Sequence, residues 1–398
     1  MDGGLRSKSL GRQLGDGCRM RPDSCSHDGV LGGRTSEKIS MTMLLATIAV
    51  VVRHAFCVHI YQPSIWSTGP YDANSLVQLL TNYCTASAVP TFFLLSGCLF
   101  FHNLDDKGLL RKWKSRVHSL LIPYLLWNAL YLALFCLIVP SVPFVGRYWL
   151  HDSVAFDLRT VVQSLTISPP SSHFWFVRDL IGFVALAPLF CLIYRCRRLA
   201  GILLMGLLVY WQPVDCSLLS SEGLLFFFVG GWIGYRHLDV RRVSVEAPWI
   251  VATLCVLWLG LCVYQTLWSA ESTGNEVATK TSTLIGVMVL WLSVDRICTS
   301  GVRDWLLVLA PYTFFIYASH RPMIRYIYKV LLYYVPESQY FGLCVFFATP
   351  VLTIAISVCV AKCLHRYAGG VYALMTGGRL PPHDRKHECA TRAVTQPI

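Results

Sequence analysis

Ten apolar stretches recur along this 398-residue chain, most of them close to the ~20 residues that a helix needs to cross the hydrocarbon core of a bilayer. They run over about 41 to 59, 84 to 101, 119 to 139, 174 to 194, 199 to 213, 220 to 235, 248 to 268, 282 to 297, 304 to 320 and 340 to 361. A helix satisfies its own backbone polar groups, which is what a segment crossing a waterless medium must do. Polar side chains able to cover a water-facing surface are scarce: 14% of residues are charged and 55% belong to the set AVILMFWYC. Soluble proteins carry about 25% charged residues, so this balance excludes an ordinary cytosolic enzyme, and it excludes disorder. The predicted fold class is an all-α, polytopic integral membrane protein with ten transmembrane helices. The fifth stretch is short and the ninth is interrupted by Pro311.

The net charge of +12 gains meaning from where the cations lie. Loops that stay in the cytoplasm carry the excess of Lys and Arg. With the N-terminus inside, the segments 1–38, 102–118, 195–198, 236–247, 296–303 and 362–398 are cytoplasmic and hold 26 of the 34 lysines and arginines. An error of one span would reverse every later loop, so ten spans with both termini inside is the expected topology. The basic balance is thus a topological signal, and no nucleic-acid partner is expected. Residues 1–38 read as a disordered cytoplasmic tail, 39–368 as the membrane domain and 369–398 as a second cytoplasmic tail. Because Met41 opens the first apolar run, translation is expected to start near Met20 or Met41. The sixteen cysteines sit largely in or beside apolar runs, where cysteine behaves as a small hydrophobe. None forms a CxxC pair with histidines at zinc spacing, so no metal is expected.

An ionisable group at bilayer depth costs at least ~2.5 to 3.5 kcal/mol on insertion scales, so each one asks for a partner, a cavity or a task. The first stretch holds Arg53 and His54, and His54 lies ~20 Å from its cytoplasmic end, in the outer half of the membrane. His59 points ~140° away from His54 on the same helix and is not expected to share its site. The fourth stretch enters from outside through His173, Phe174, Trp175 and Phe176 to Arg178 and Asp179. Adjacent residues point about 100° apart, so Arg178 and Asp179 are expected to meet different partners. The ninth ends outside at His320 and Arg321. One such residue alone reads as an interfacial anchor or a satisfied histidine. Three outer ends carrying His54, Arg178 with Asp179, and His320 at one depth read as a site.

Two further features keep two readings each. Ser96, Gly97 and Cys98 let either another helix or a slender ligand approach the backbone of the second stretch closely. The cations Lys107, Arg111, Lys112, Lys114 and Arg116 either set topology and meet anionic lipid, or dock the phosphates of a cytosolic donor.

The words VVRHAF, VPTFFLLSGCLFF, KWKSRVHSLLIPYLLWN, HFWFVRDL, FFIYASHRP and TGGR, in that order over residues 41 to 379, resemble membrane-bound acyltransferase family 3, the bacterial polysaccharide O-acyltransferases. The resemblance implies transfer of an acyl group, commonly acetyl, from cytosolic acyl-CoA to a hydroxyl of a glycan or lipid-linked saccharide. It also implies residence in the plasma (inner) membrane of a bacterium. The family's functional histidine falls on His54. Many members carry an arginine eleven residues earlier, where this chain has Met43. Donor contact is then expected from Lys114 or Arg116, or from a different use of Arg53, with Ser96 beside them. In the chemistry so implied, neutral His54 takes the hydroxyl proton as general base. Arg178 or His320 steadies the oxyanion, and Asp179 orients a histidine or neutralises Arg178. Acyl transfer through His54 itself is the covalent alternative. Two competing classes are a transporter or flippase and a non-catalytic assembly partner. A transporter is disfavoured by the lack of visible paired repeats.

Overall fold

The structure is a computed structural model describing residues 24–55, 73–102, 104, 108–135, 157–211, 219–238, 247–268, 273–334 and 339–379. The described residues are helical apart from their turns and contain no strand. The described part of each of the ten apolar stretches is helical. Five helical segments are long and apolar enough to cross a membrane singly, 35–55, 75–101, 248–267, 274–297 and 342–367. A sixth crossing results if the bent pair around Leu186 counts as one.

Helix α1 (Ser24–Ala55) runs through the middle of the molecule. It packs on α3 (Ala88–Phe101) and, further along the chain, on α12 (Thr273–Ile297), α14 (Thr313–Tyr334) and α15 (Gln339–Tyr367). α1 begins at Ser24, so part of the segment expected to be a disordered tail is its first turns. Those turns are tied down at their end, because Lys38 pairs with Asp295 at 2.7 Å and Glu37 with Arg303 at 2.8 Å. A short α2 (Ala73–Gln78) and a π-helical turn (Leu79–Cys84) precede α3.

After α3 come α4 (Gly108–Arg116), a π-turn (Val117–Leu121) and α5 (Ile122–Ala133), whose start carries Pro123, a residue suited to a first helical turn. α6 (Leu158–Thr166) leads through a 3₁₀ turn at Ser172–Phe174 into α7 (Trp175–Ala185) and α8 (Ala187–Arg195), which meet at a 56° bend. α9 (Arg197–Tyr210) spans about 21 Å at 1.5 Å per residue, short of the ~30 Å hydrocarbon core. α10 (Ser221–Tyr235) and α11 (Pro248–Leu267) follow. α11 turns Trp249, Val256 and Leu257 outward, an apolar exterior that suits lipid rather than water.

The interruption at Pro311 is a short 3₁₀ turn, Ala310–Tyr312, between α13 (Val302–Leu309) and α14. α14 then continues through Pro322 to Tyr334, well past the end of the ninth stretch, so Arg321 and Arg325 are helical. The second expected tail also opens with structure. α16 (Gly369–Thr376) packs on α5 and buries Tyr372 and Thr376.

The tightest seam joins α3 to α10. A Cβ on Gly230 would lie 1.9 Å from the Leu94 carbonyl oxygen, one on Gly234 2.3 Å from that of Cys98, and one on Gly97 2.3 Å from that of Phe227. The small-residue stripe in α3 therefore packs against another helix. Ser96 lies beside this seam, half-buried.

Candidate functional site: a buried histidine cluster

His54 sits in the last turn of α1, His320 in α14, and His173 in the turn that opens α7. The rings of His54 and His320 are stacked, with centroids 5.3 Å apart and planes at 28°. His173 meets His320 edge-on at 4.6 Å. His320 and His173 are 0% and 3% exposed, so neither ring is served by bulk water. His320 Nδ1 lies 2.5 Å from the Tyr317 carbonyl oxygen. A carbonyl oxygen only accepts, so Nδ1 carries the proton, and in the neutral ring Nε2 presents a lone pair. His173 Nδ1 is 2.9 Å from Ser171 Oγ. The Nε2 atoms of both His173 and His320 are buried with no hydrogen-bond partner among the described residues. Buried polar atoms are nearly always paired, so these two mark a place where a hydrogen-bonding ligand belongs.

Aromatic residues hold the cluster. Tyr317 donates to the His173 carbonyl at 2.6 Å, and Tyr131 donates to the Ala318 carbonyl at 2.7 Å. Arg321, one residue past His320, donates to Ser172 Oγ and acts electrostatically on all three histidines. No set of three His, Cys, Asp or Glu side chains among the described residues has the geometry to hold a metal ion.

The other expected site residues lie elsewhere. Arg178 and Asp179 pair with each other at 2.7 Å, contrary to the expectation of separate partners. The long arginine side chain folds back along the helix to reach its neighbour. Asp179 Oδ2 also accepts from the Ser220 amide at 2.9 Å, and Ser220 Oγ caps α10 by accepting from Gly223 N at 3.0 Å. Arg178 further donates to the Ile167 carbonyl. This pair thus joins α7 to the start of α10. Arg53 donates to the Asn82 carbonyl at 3.2 Å and interacts electrostatically with Glu222. Lys114 is exposed. Arg116 stands over the Phe100 ring, 5.9 Å from its centroid, and lines a cavity of about 310 Å³ with Trp113, Leu120, Ile181 and Val184. His59 and Lys107 lie outside the described residues.

Sequence reasoning assigned no role to His173 or Arg321. Both were present in the quoted words HFWFVRDL and FFIYASHRP. The usable signal was that each word carries a second cation or imidazole near a singled-out group, Arg321 directly after His320 and His173 five residues before Arg178.

The acyltransferase domain family matches residues 44–362, most of the chain and nearly all of the helices that build the cluster. The chain belongs to acyltransferase family 3. As a family 3 member it is an O-acyltransferase. It is 23% identical over 383 residues to the succinoglycan biosynthesis protein ExoH of Rhizobium meliloti (strain 1021), covering 92% of this chain and 96% of that protein. It is also 24% identical over 151 residues to NADH-ubiquinone oxidoreductase chain 2 of Pelomedusa subrufa. That likeness covers only 36% of this chain and 42% of the other, and carries no functional argument. No solved structure matches the family 3 chain.

Proposed function

We propose that this acyltransferase moves an acyl group, acetyl in the simplest case, from cytosolic acyl-CoA to a hydroxyl of a cell-surface glycan or lipid-linked saccharide, in the plasma membrane of a bacterium. The observation that carries the reading is the cluster of His54, His173 and His320, with two buried and unpartnered Nε2 atoms, in a chain of this family. The full-length likeness to a succinoglycan biosynthesis protein supports a glycan acceptor.

A sugar hydroxyl is a poor nucleophile at neutral pH. His54 accepts the hydrogen bond of this hydroxyl and takes its proton as the oxygen attacks the thioester carbonyl, while the lone pair on His320 Nε2 accepts from a neighbouring hydroxyl of the same sugar and so orients the acceptor. A C–O bond forms, the carbonyl π pair moves to oxygen, and collapse of the tetrahedral intermediate breaks the C–S bond. The departing CoA thiolate receives the proton from His54. Arg321 supplies the positive charge facing the oxyanion, in place of Arg178, whose guanidinium is engaged with Asp179. His320 in its neutral tautomer has no ring proton left to donate, which assigns it to accepting from and orienting the acceptor sugar.

Membrane vesicles supplied with radiolabelled acetyl-CoA and an acceptor glycan test this reading. Wild-type protein should transfer label to the glycan, and His54→Ala should abolish transfer while expression and insertion persist. Full activity in His54→Ala, or solute uptake without CoA consumption, would overturn it.

A further inference from the structure

At the other end of the helices that carry the histidines, two arginines come together with no acid beside them among the described residues. Arg379 belongs to the turn after α16, in which Gly377 and Gly378 take positive φ of 66° and 77°. Glycine accepts this backbone freely, and the fit is close, because a Cβ on Gly377 would lie 2.7 Å from the Ser119 backbone. The turn is thereby seated on the π-turn Val117–Leu121, which directly follows Arg116. Arg379 Nη1 donates to the carbonyls of Thr376 at 2.6 Å and Ser119 at 3.3 Å, and its guanidinium lies 4.5 Å from the Phe314 centroid. Nε and Nη2 make no hydrogen bond among the described residues, and neither does any nitrogen of Arg116. Burial, and after it the neighbouring charge of Arg116, push the Arg379 guanidinium down to about 10. Burial likewise lowers Arg116. No carboxylate among the described residues pairs with either.

Bringing two half-buried guanidiniums together without a counter-charge is unfavourable unless an anion completes the arrangement. The fork geometry of arginine suits phosphate oxygens in particular. The apolar cavity that Arg116 lines adjoins this pair.

We propose that Arg116 and Arg379 form the phosphate-binding end of the acyl-CoA site, with Arg379 held in place by the Gly377–Gly378 turn and the Phe314 ring. This rests on the acyl-CoA reading above and adds the C-terminal turn to the donor site. The spacing fits one ligand. Phe100, under Arg116, is eight residues along α3 from Phe92, which touches Tyr317 beside the histidines, a rise of about 12 Å. Phe314, under Arg379, is six residues from His320 along α14, a rise of about 9 Å. An extended pantetheine arm covers that separation.

The test uses full-length protein in nanodiscs of zwitterionic lipid, with acetyl-CoA and acetyl-pantetheine compared as donors. Arg116→Gln and Arg379→Gln should each raise KM for acetyl-CoA about tenfold, the loss of one charge-assisted phosphate contact, and leave kcat/KM for acetyl-pantetheine unchanged. Arg379→Lys, which keeps a donor for the Ser119 and Thr376 carbonyls, guards against a variant that merely loses the turn; it should show a smaller rise on acetyl-CoA alone. Equal losses on both donors would overturn the proposal. So would an unchanged KM for acetyl-CoA with an altered response to added anionic phospholipid, which would make the ligand a lipid headgroup. Should wild-type protein transfer no acetyl group at all, the enzymatic reading fails separately. Binding of labelled CoA, displaced by pyrophosphate and lost in both Gln variants, would still support the phosphate site.

Discussion

A neutral imidazole has one proton for two nitrogens, so whichever partner claims it at Nδ1 decides what Nε2 can do. In His320 the Tyr317 carbonyl makes that choice, and the ring faces the cluster as an acceptor. His320→Gln, which can still accept through its amide oxygen, should retain more activity than His320→Ala. The alanine variant should lose on the order of 10²-fold in kcat, the scale of a misplaced reacting group, with donor KM unchanged. Steady-state kinetics on purified protein checks both. Asp179 makes the opposite case. Its carboxylate is fully buried, paired with Arg178 and bonded to the Ser220 amide. Asp179→Ala leaves Arg178 without its counter-charge at a point where α7 holds α10, and breaking a buried pair costs about 3–5 kcal/mol. The expected result is a lowered thermal midpoint in detergent, with activity falling only as the folded fraction falls. A folded but inactive Asp179→Ala would instead return this residue to the chemistry. His54 and His320 stood out in the sequence because imidazole is misplaced at bilayer depth. The Arg178–Asp179 pairing was hidden because helical angles describe Cβ directions and leave the reach of a long arginine undetermined.

Among elements, the α3–α10 seam decides how closely the layers can approach. Gly230 and Gly234 form a GxxxG pair that presents bare backbone to α3, and Gly97 answers from the other side. Gly230→Ala should force the two helices apart, because the 1.9 Å contact is with a carbonyl oxygen of a packed helix that no rotamer change relieves. Gly206→Ala, on α9, has open space around it and should be tolerated. Fluorescence-detected size exclusion after heating would separate the two, with loss of the monodisperse peak at lower temperature for Gly230→Ala alone. The stripe at Ser96–Cys98 was readable as a place of close approach. That the visitor is α10 depends on tertiary pairing, which one sequence does not encode locally. Helix breaks leave a more local mark. Pro311 announced one, and Pro188, two residues past the 56° bend at Leu186, marks another that hydropathy alone does not show because the run stays apolar.

Across the whole molecule, long-range contacts restrict the topology through parity. Residues that touch outside the bilayer core must lie on one side, so an even number of crossings separates them. The ion pairs Lys38–Asp295 and Glu37–Arg303 join α1, just before its apolar run, to the end of α12 and the start of α13, and Arg379 reaches Ser119 near Arg116. At the other end, Arg321 reaches Ser172 and His54 stacks on His320. The ten-crossing reading satisfies every one of these, with the basic ends inside and the histidines outside. Short or broken helices such as α9 and the α7–α8 pair then have to cross with help from their neighbours, which is tolerated where backbone is buried in protein. Reporter fusions check this reading: an enzyme active only outside the cytoplasm should be active when fused after residue 170 and inactive after residues 116, 198 and 379. Activity at 379 with inactivity at 116 would contradict the contact between Arg379 and Ser119 and, with it, a donor site built from both ends of the chain.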